Sequence, residues 1–391
     1  MKFLFNTHLI QRRMTKQQGF SLVELMVGLV IGLLMSLVVY NVLNVNEGRK
    51  RTTTSLNDVN QAGSYAIYQL DKQIRSAGSG FTSGGDKVGA DYTFGCRLDM
   101  ALNGAQLTPA ATFPAPFASV GTAIRVAPVI IYDGAAGAGG DVIITMSGNA
   151  GLGEAPTGFT SLATAATLKL VNQAGVRPND VVLLADAGVS ISPCLVQQVA
   201  STFTQTAGGS NVSLAGNYYS ATVNSRSVND FTATSQVINL GQSPNLNMFA
   251  VGANNTLMKY DLMQVRQASA IGSTPNPSVY VDSVYQLHAL YGVDTVPASS
   301  TLTWVAPSGA FSAANLLTGT LAAATQMKRI KAIKIGIVMR TPLLERQAVS
   351  GPTLQLFSDT ALPITVSLNP TTFRYRSFEA VIPLRNSLML K

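Results

Sequence analysis

An apolar run near the N-terminus limits the fold of this chain more than any other feature. The run extends from Phe20 to Val45, and its only charged residue is Glu24. A helix of ~20 apolar residues spans a bilayer, so the run predicts a membrane-spanning helix. A carboxylate inside such a helix costs ~2.5–3.5 kcal/mol on insertion scales, so Glu24 requires a specific role.

The residues before the run indicate how this segment is processed. Basic residues and no acid precede Gly19. A secretory signal is cut after its apolar region at a small-residue site such as Ala-x-Ala, but the first alanine of this chain is Ala62. Cleavage between Gly19 and Phe20 is the alternative. It would remove residues 1–19 and leave the new α-amine one helical turn from Glu24.

The segment Gly19-Phe20-Ser21-Leu22-Val23-Glu24-Leu25 resembles the class III signal of type IV prepilins and related pseudopilins. In that family a membrane peptidase cuts after the glycine and methylates the new amine, and a glutamate is the fifth residue of the mature chain. Glu24 is fifth when counted from Phe20. Translation from Met1 gives a long leader and translation from Met14 a short one, and both starts stay open. An ordinary signal anchor with an incidental glutamate is the alternative interpretation.

The helical pattern continues beyond the apolar run. Apolar residues recur at steps of three and four from Leu56 to Ile74, and Gly78-Ser79-Gly80 ends the pattern. The sequence therefore predicts one helix over residues 20–77, of which residues 20–45 form the transmembrane half.

Two glycines within the apolar run form a Gly-x-x-x-Gly pair, Gly28 and Gly32. Without side chains there, the backbone of another helix can approach closely, which makes the pair a candidate assembly contact. Simple tolerance of glycine in a membrane helix is the alternative.

Residues 78–391 predict a large domain of β-strands, because β-branched and apolar runs are bounded by Gly, Pro, Asn and Asp. Residues 201–235 predict loops, and Ala313–Gln326 predicts a short helix. The expected fold is α+β, with a long N-terminal helix packed on a large, mainly antiparallel β-sheet domain. The candidate strands are Ile124–Tyr132, Asp141–Met146, Val181–Ala185, Cys194–Ala200, Ser278–Tyr285, Ile330–Arg340, Leu354–Phe357, Ile364–Leu368 and Phe373–Leu384.

Segments spread along the chain narrow the resemblance to PilW-like minor pilins. Tyr68–Phe81 is similar to the end of the long helix in that family, and residues 100–275 match no pattern in detail. The resemblance implies a structural subunit that catalyses nothing, needs no cofactor and is a substrate of the prepilin peptidase. Further similar segments are Val284–Leu287, Tyr291–Thr295, Ile335–Arg340 and Ile382–Asn386.

The resemblance also implies a location and partners. The subunit would be stored in the bacterial inner membrane as a single-pass protein with a periplasmic C-terminal domain. It would then join other minor pilins and the major pilin in an initiating, tip-located complex. The inner-membrane assembly platform would take part in this step, and a tip adhesin is a further candidate partner. Glu24 would pair with the methylated amine of a neighbouring subunit's Phe20, because an unpaired buried charge is heavily disfavoured.

A periplasmic location permits a disulfide between the two cysteines, Cys96 and Cys194. The alternative is two unpaired, buried thiols.

Catalytic and ligand-binding signals are sparse. The chain has two histidines, His8 and His288, and only His288 would remain after cleavage, which is too few for a multi-histidine zinc site. We expect His288 to be a packed or edge residue. Gly134–Gly140 precedes strand-like residues, so a hairpin loop is favoured over a phosphate-binding loop. The sequence predicts neither a metal site nor a cofactor.

The basic run Lys328–Lys334 permits contact with DNA phosphates. A solvated strand edge is the favoured interpretation, because edge lysines block strand pairing, and nucleic acid is therefore not an expected partner. Three rivals to a minor pilin stay open: a minor pseudopilin of type II secretion, a tip subunit that binds DNA or surfaces, and an anchored periplasmic enzyme.

Overall fold

The chain divides into two compact units, residues 1–54 and residues 55–391, and helix α1 (Leu22–Ser76) contributes to both. Of the predicted leader, only Gly19 lies within the described part of the chain. The computed structural model describes residues 19–81, 94–110, 112–151, 156–186, 192–264, 277–295 and 301–388.

In the first unit, apolar residues surround α1 from Leu22 to Val45, with Glu24 as the only charge, and none of its residues up to Thr54 is buried. A helix that is apolar all round needs lipid or other helices around it. Among the described residues, α1 is the one helix whose length and composition would allow it to cross a membrane.

In the second unit, one face of α1 is buried. Val59, Gly63, Leu70 and Ile74 lie on this face at helical spacing, which confirms the predicted amphipathic pattern. A Cβ atom at Gly63 would lie 2.4 Å from the ring of Phe378, so the absence of a side chain lets the helix approach the sheet closely.

The second unit contains strands β1–β21 and short helices α2–α4, and the pairing among the described strands is antiparallel except between β1 and β8. The strands are β1 Leu98–Leu102, β2 Ala105–Thr108, β3 Val129–Tyr132, β4 Val142–Ser147, β5 Thr157–Gly158, β6 Thr167–Lys169, β7 Val181–Asp186, β8 Cys194–Gln198, β9 Asn211–Ser213, β10 Thr222–Val223, β11 Arg226–Ser227, β12 Ser235–Gly241, β13 Asn245–Gly252, β14 Thr256–Asp261, β15 Ser278–Asp282, β16 Val284–Asp294, β17 Leu302–Val305, β18 Ile330–Arg340, β19 Thr353–Leu356, β20 Ile364–Ser367 and β21 Tyr375–Pro383. The helices are α2 Ala313–Leu316, α3 Leu321–Arg329 and α4 Arg385–Leu388.

Two sheets form the main layer against the buried face of α1. One has the strand order β15-β14-β13-β4-β3 and the other the order β17-β16-β18-β21. Tyr280 in β15 donates a hydrogen bond from its hydroxyl to Oε1 of Gln69 (3.1 Å), and Arg376 in β21 donates one to Oδ1 of Asn60 (3.0 Å). Both sheets therefore contact α1, and the predicted α+β fold is confirmed.

A second lobe is a small barrel inserted between β4 and β13. β12 pairs with β7 and β5, β7 pairs with β8, and β6 pairs with β9. Single bridges between Val199 and Leu214 and between Phe159 and Leu170 complete the circle. Every strand of the barrel contributes, within or next to the strand, to a separate hydrophobic cluster around Leu184.

Strand β7 lies between the hydrophobic cluster of the barrel and the main hydrophobic cluster. Val182 and Leu184 of β7 belong to the barrel cluster, whereas Val181 and Leu183 belong to the main cluster. Because successive strand residues point to opposite faces, one strand serves both cores. The lobe is therefore integrated into the second unit.

Local differences from the sequence-based prediction have clear causes. The helix predicted over Ala313–Gln326 is two helices, because Gly319 has a φ of 77° and Thr320 caps α3 with its side chain. The region 201–235 is mostly loop, as predicted, with only the short strands β9–β11 and one 3-10 turn.

Candidate assembly site

The predicted cleavage point lies directly before α1. Gly19 and Phe20 are exposed, and the side chain of Phe20 is 81% exposed. The first hydrogen bond of the helix joins the amide of Leu25 to the carbonyl of Ser21 at 3.0 Å. The bond between Gly19 and Phe20 is therefore outside the helical backbone, as a protease requires, and the cleavage itself stays a prediction.

Glu24 lies in the first turn of α1 and is exposed. The N-terminus of a helix carries partial positive charge, so an acid there is favoured locally by ~0.3–1 kcal/mol. None of the ion pairs among the described residues includes Glu24. This carboxylate therefore lies on an apolar helix surface without a charged partner from the described chain.

Gly28 and Gly32 open a flat strip on the same helix. No atom lies within 4 Å of a Cβ built at either glycine. Ser36, one turn further on, folds its hydroxyl back onto the carbonyl of Gly32 (2.8 Å). Residues four apart share a helix face, so three small residues lie in line where a second helix can approach.

The two cysteines form a disulfide in the second unit. Cys96 and Cys194 are each 1% exposed, and their Cα atoms are 5.7 Å apart. The bond joins the segment before β1 to the first residue of β8, next to the only parallel strand pair of the described residues. The predicted disulfide is confirmed.

His288 is a packed residue, as predicted. Its Nδ1 atom lies 3.6 Å from Oδ1 of Asp141, and its Nε2 atom lies 3.0 Å from Oε1 of Gln286. A Ser-His-Asp triad would need a serine at Nε2, and an amide oxygen occupies that position. Asp141 also accepts hydrogen bonds from the amides of Gly134 and Ala289, so its role here is to hold backbone segments together.

The glycine-rich segment 134–140 is the connection of the β3–β4 hairpin, as the sequence predicted. Its backbone also pairs with a distant strand, because Gly140 bridges to Leu287 of β16 and the amide of Asp141 donates to the carbonyl of Leu287 (2.8 Å). A Cβ at Gly140 would lie 2.3 Å from the Leu287 oxygen. The glycine is therefore required for contact between two sheets.

The basic run is not a solvated strand edge, so that interpretation was wrong. β18 is a central strand between β16 and β21, and the side chains of Lys331 and Lys334 are buried. Lys331 donates to the carbonyl of Ser387 (2.7 Å), and burial lowers its pKa. Arg329 donates to the carbonyl of Asp294 (2.8 and 3.0 Å). The run is thus committed to internal contacts, which leaves little of it for DNA phosphates.

Lys334 holds the β19–β20 hairpin against the sheet. It pairs with Asp359, and its Nζ atom lies 3.7 Å from Oε2 of Glu379 and 5.5 Å from the centroid of Phe357. The hydrogen bond from Lys334 lowers the pKa of Asp359. The hairpin covers the face of the sheet opposite the main core, where a third hydrophobic cluster includes Val338 and Phe357.

Sequence reasoning missed a contact between the two ends of the second unit. Asn386 in α4 donates from Nδ2 to the carbonyls of Ser76 and Ala77 at 3.1 and 3.0 Å. Ser76 is the last residue of α1 and Ala77 follows it, so neither carbonyl has a partner within the helix. No short-range pattern could have indicated a bond across about 310 residues.

The described residues contain no group of three or more His, Cys, Asp or Glu side chains that could hold a metal ion.

Two family models match this chain. Residues 14–40 match the prokaryotic N-terminal methylation motif, and residues 248–386 match PilW, described as type IV pilus-assembly protein W. The second match covers the chain from β13 to α4, whereas the barrel lies outside both matches. Searches of curated proteins and of solved structures found no significant match.

Proposed function

We propose that this chain, which is PilW-like and carries a prepilin methylation motif, is a minor pilin that takes part in initiating a type IV pilus. In this proposal the prepilin peptidase removes residues 1–19, and the mature protein is held in the inner membrane by α1 with its second unit in the periplasm. The subunit then joins other minor pilins near the pilus tip.

The observation that carries the proposal is the position of Glu24. It is the only charge in the exposed apolar part of α1, which runs to Val45. It lies within the matched motif, and it would be the fifth residue of the mature chain. In a bundle of such helices the carboxylate would be buried, and a buried charge needs a partner. The free amine at Phe20 of a neighbouring subunit would lie at the same membrane depth, which makes it the natural counter-ion.

The direct test is Glu24→Ala in a pilus-forming strain that lacks the wild-type gene. We expect the variant protein to insert into the membrane and to form its disulfide, because neither depends on Glu24. We expect it to be absent from sheared pili, or reduced by at least tenfold, because the amine of the neighbour would lack its counter-ion.

Glu47→Ala is the matched control. Glu47 lies on the same helix but pairs within the helix with Arg51 (3.2 Å), and both side chains are more than half exposed. This variant should enter pili normally. Equal amounts of Glu24→Ala and wild-type protein in pili would contradict the proposal.

Type II secretion is distinguished by phenotype. A deletion strain should lose piliation and twitching motility and keep protein secretion, whereas a pseudopilin would give the reverse pattern. The PilW match favours the pilus. The internal contacts of Lys331 and Lys334 argue against a DNA-binding role for the basic run.

A further inference from the structure

Strand β21 is the outer strand of the four-stranded sheet, because β18 is its only partner among the described strands. Just before β21 the carbonyl of Arg374 accepts from the amide of Thr341 (2.9 Å), and just after it the amide of Leu384 donates to the carbonyl of Lys331 (2.8 Å). These two bonds fix the alternation of the antiparallel pair. Even-numbered residues of β21 therefore bond to β18, and odd-numbered residues direct their backbone N–H and C=O groups away from it.

The outward backbone groups of β21 are open over a short stretch. In the described part of the chain, no hydrogen bond involves the backbone N–H or C=O groups of Ser377, Glu379 or Val381. All three residues are exposed. The residues from Ser377 to Val381 therefore form an unpaired strand edge, which we call the β21 edge.

The β21 edge is limited at both ends. Before β21, the carbonyl of Phe373 accepts a hydrogen bond from the hydroxyl of Ser350 (2.7 Å), so a loop occupies the outward side there. At the other end, Pro383 has no N–H to offer a further strand. Proteins commonly shorten or cover their sheet edges, and this edge is shortened and left open between its limits.

The side chains on one face of the edge contact α1. Arg376 donates to Oδ1 of Asn60 (3.0 Å), and the ring of Phe378 lies against Gly63. Arg376 is exposed, and none of the ion pairs among the described residues includes it. This face therefore offers a positive charge whose only hydrogen-bond partner is neutral.

The opposite face of the edge offers an apolar contact. Glu379 lies on this face, because its carboxylate accepts a hydrogen bond from the amide of Phe357 (2.9 Å). Successive strand residues alternate between faces, so Val381 lies on the same face as Glu379. The side chain of Val381 is 52% exposed, which is unusual for a valine in a strand of this length.

A second copy of this chain fits the edge poorly. The open stretch is centred on Glu379, so two antiparallel copies that used the whole stretch would place Glu379 opposite Glu379. Like charges directly opposite each other destabilise a strand pair. The edge is therefore suited to a strand of different sequence.

We propose that the β21 edge accepts an extended segment of another pilus subunit as a fifth, antiparallel strand of this sheet. Backbone N–H and C=O groups at every second residue are complementary to an extended chain, which is the basis of strand addition. The segment would place an acid opposite Arg376 and an apolar residue opposite Val381. This inference rests on the proposed function, because the partner is a subunit of the same assembly.

The functional consequence is a directional contact between subunits. One subunit gives the strand and this chain accepts it, and a single open edge takes a single strand. The contact lies entirely in the second unit and is separate from the role of Glu24. It would fix which neighbour this chain receives in the initiating complex.

The test measures binding of a labelled peptide to full-length mature protein in detergent. The peptide V-T-T-V-T-E-T, with blocked ends, places its first residue opposite Val381 and its sixth opposite Arg376 when it pairs antiparallel to β21. We expect saturable binding by fluorescence anisotropy. Its third and fifth amides would face β21, so N-methylation of these two should abolish binding, whereas N-methylation of the second and fourth should not.

The variant Ser377→Pro removes one outward N–H and no bond to β18. It should bind the peptide at least tenfold more weakly, because the peptide carbonyl opposite it loses its donor. Val381→Lys is a second variant that keeps every backbone group and places a solvated charge at the edge, so it should also weaken binding. Ser377→Ala is the matched control and should bind as the wild-type protein does.

The same variants test the role in assembly. In a pilus-forming strain, Ser377→Pro should form its disulfide and be reduced at least tenfold in sheared pili, whereas Ser377→Ala should enter normally. Equal amounts of these two variants in pili would overturn the inference.

Absence of saturable peptide binding, or equal binding by Ser377→Pro and wild-type protein, would also overturn it. Loss of binding on N-methylation of the second and fourth amides would overturn it as well, because those amides face away from β21. Glu24→Ala separates this inference from the proposed function, because that variant should fail to enter pili and still bind the peptide.

Discussion

Single residues carry the assembly chemistry and the closest backbone contacts. Glu24 is recognisable in the sequence because a charge in an apolar run stands out without knowledge of the fold. The structural importance of Gly140 is not recognisable in this way, because it depends on contact with a strand about 150 residues further along the chain. Local chemistry is therefore readable from sequence, whereas a contact between distant segments is not.

Gly140→Ala tests the contact between the glycine-rich loop and β16. Gly140 has a φ of 91°, and a Cβ would lie 2.3 Å from the Leu287 oxygen, so a side chain adds both backbone strain and a clash with backbone. We expect the free energy of unfolding to fall by ~3 kcal/mol or more. Denaturant unfolding of the full-length protein in detergent measures it.

Gly137→Ala isolates the contribution of the clash. Gly137 is in the same loop with a φ of 62°, but nothing lies within 4 Å of its Cβ position. It should cost only the ~1–2 kcal/mol of the left-handed conformation. Equal losses for the two variants would show that the contact with Leu287 does not matter for stability.

Buried tyrosines make the protein sensitive to alkaline pH. Burial raises the pKa of Tyr218 to about 12, and its hydroxyl donates to the carbonyl of Met263 (2.9 Å). An unfolded tyrosine ionises near pH ~10, so the unfolded state loses its proton first. Stability is then fully present below pH ~10 and is lost as the pH rises towards the folded pKa.

Tyr218→Phe should flatten this loss. We expect the wild-type free energy of unfolding to fall by roughly 2–3 kcal/mol more than that of the variant between pH ~10 and pH ~12, with a linkage of ~1.4 kcal/mol per pKa unit. The measurement is denaturant unfolding over this range. Parallel pH profiles for the two proteins would refute the assignment.

Elements show where sequence patterns succeed and fail. The boundaries of β18 match the prediction because isoleucine recurs at alternate positions from Ile333 to Ile337, which is the period of a strand. The lysines of β18 were nevertheless interpreted as residues of a solvated strand edge, because their partners, Ser387 and Asp359, lie in segments that only the fold brings near. Strands β13, β14 and most of β16 were missed because their sequences contain few β-branched residues.

The end of α1 depends on an element from the other end of the second unit. Asn386→Ala removes two hydrogen bonds to Ser76 and Ala77, so we expect a loss of ~1–2 kcal/mol in unfolding free energy. Amide hydrogen exchange in the last turn of α1 should become faster. Asn229→Ala, in an exposed turn of the barrel region, is the control and should change neither quantity. Unchanged exchange in Asn386→Ala would show that the cap is dispensable.

At the scale of the whole molecule, the two matched regions and the barrel occupy different parts of the chain. The methylation match includes the exposed part of α1 up to Tyr40, and the PilW match lies on the sheets against the buried part of α1 and on the C-terminal elements. The barrel lies outside both matches and closes through two single bridges, which no strand pattern could predict. The α+β class could be predicted from the order of helix and strands alone. The number of separate hydrophobic clusters could not be predicted from that order.

The account depends most on one covalent event, the release of a new N-terminus next to Glu24. N-terminal sequencing and intact mass of the protein isolated from pili or inner membranes test it directly. We predict that the mature chain begins at Phe20, with one added methyl group on its amine. A chain that still carries residues 1–19, or that begins after the apolar run, would contradict the account.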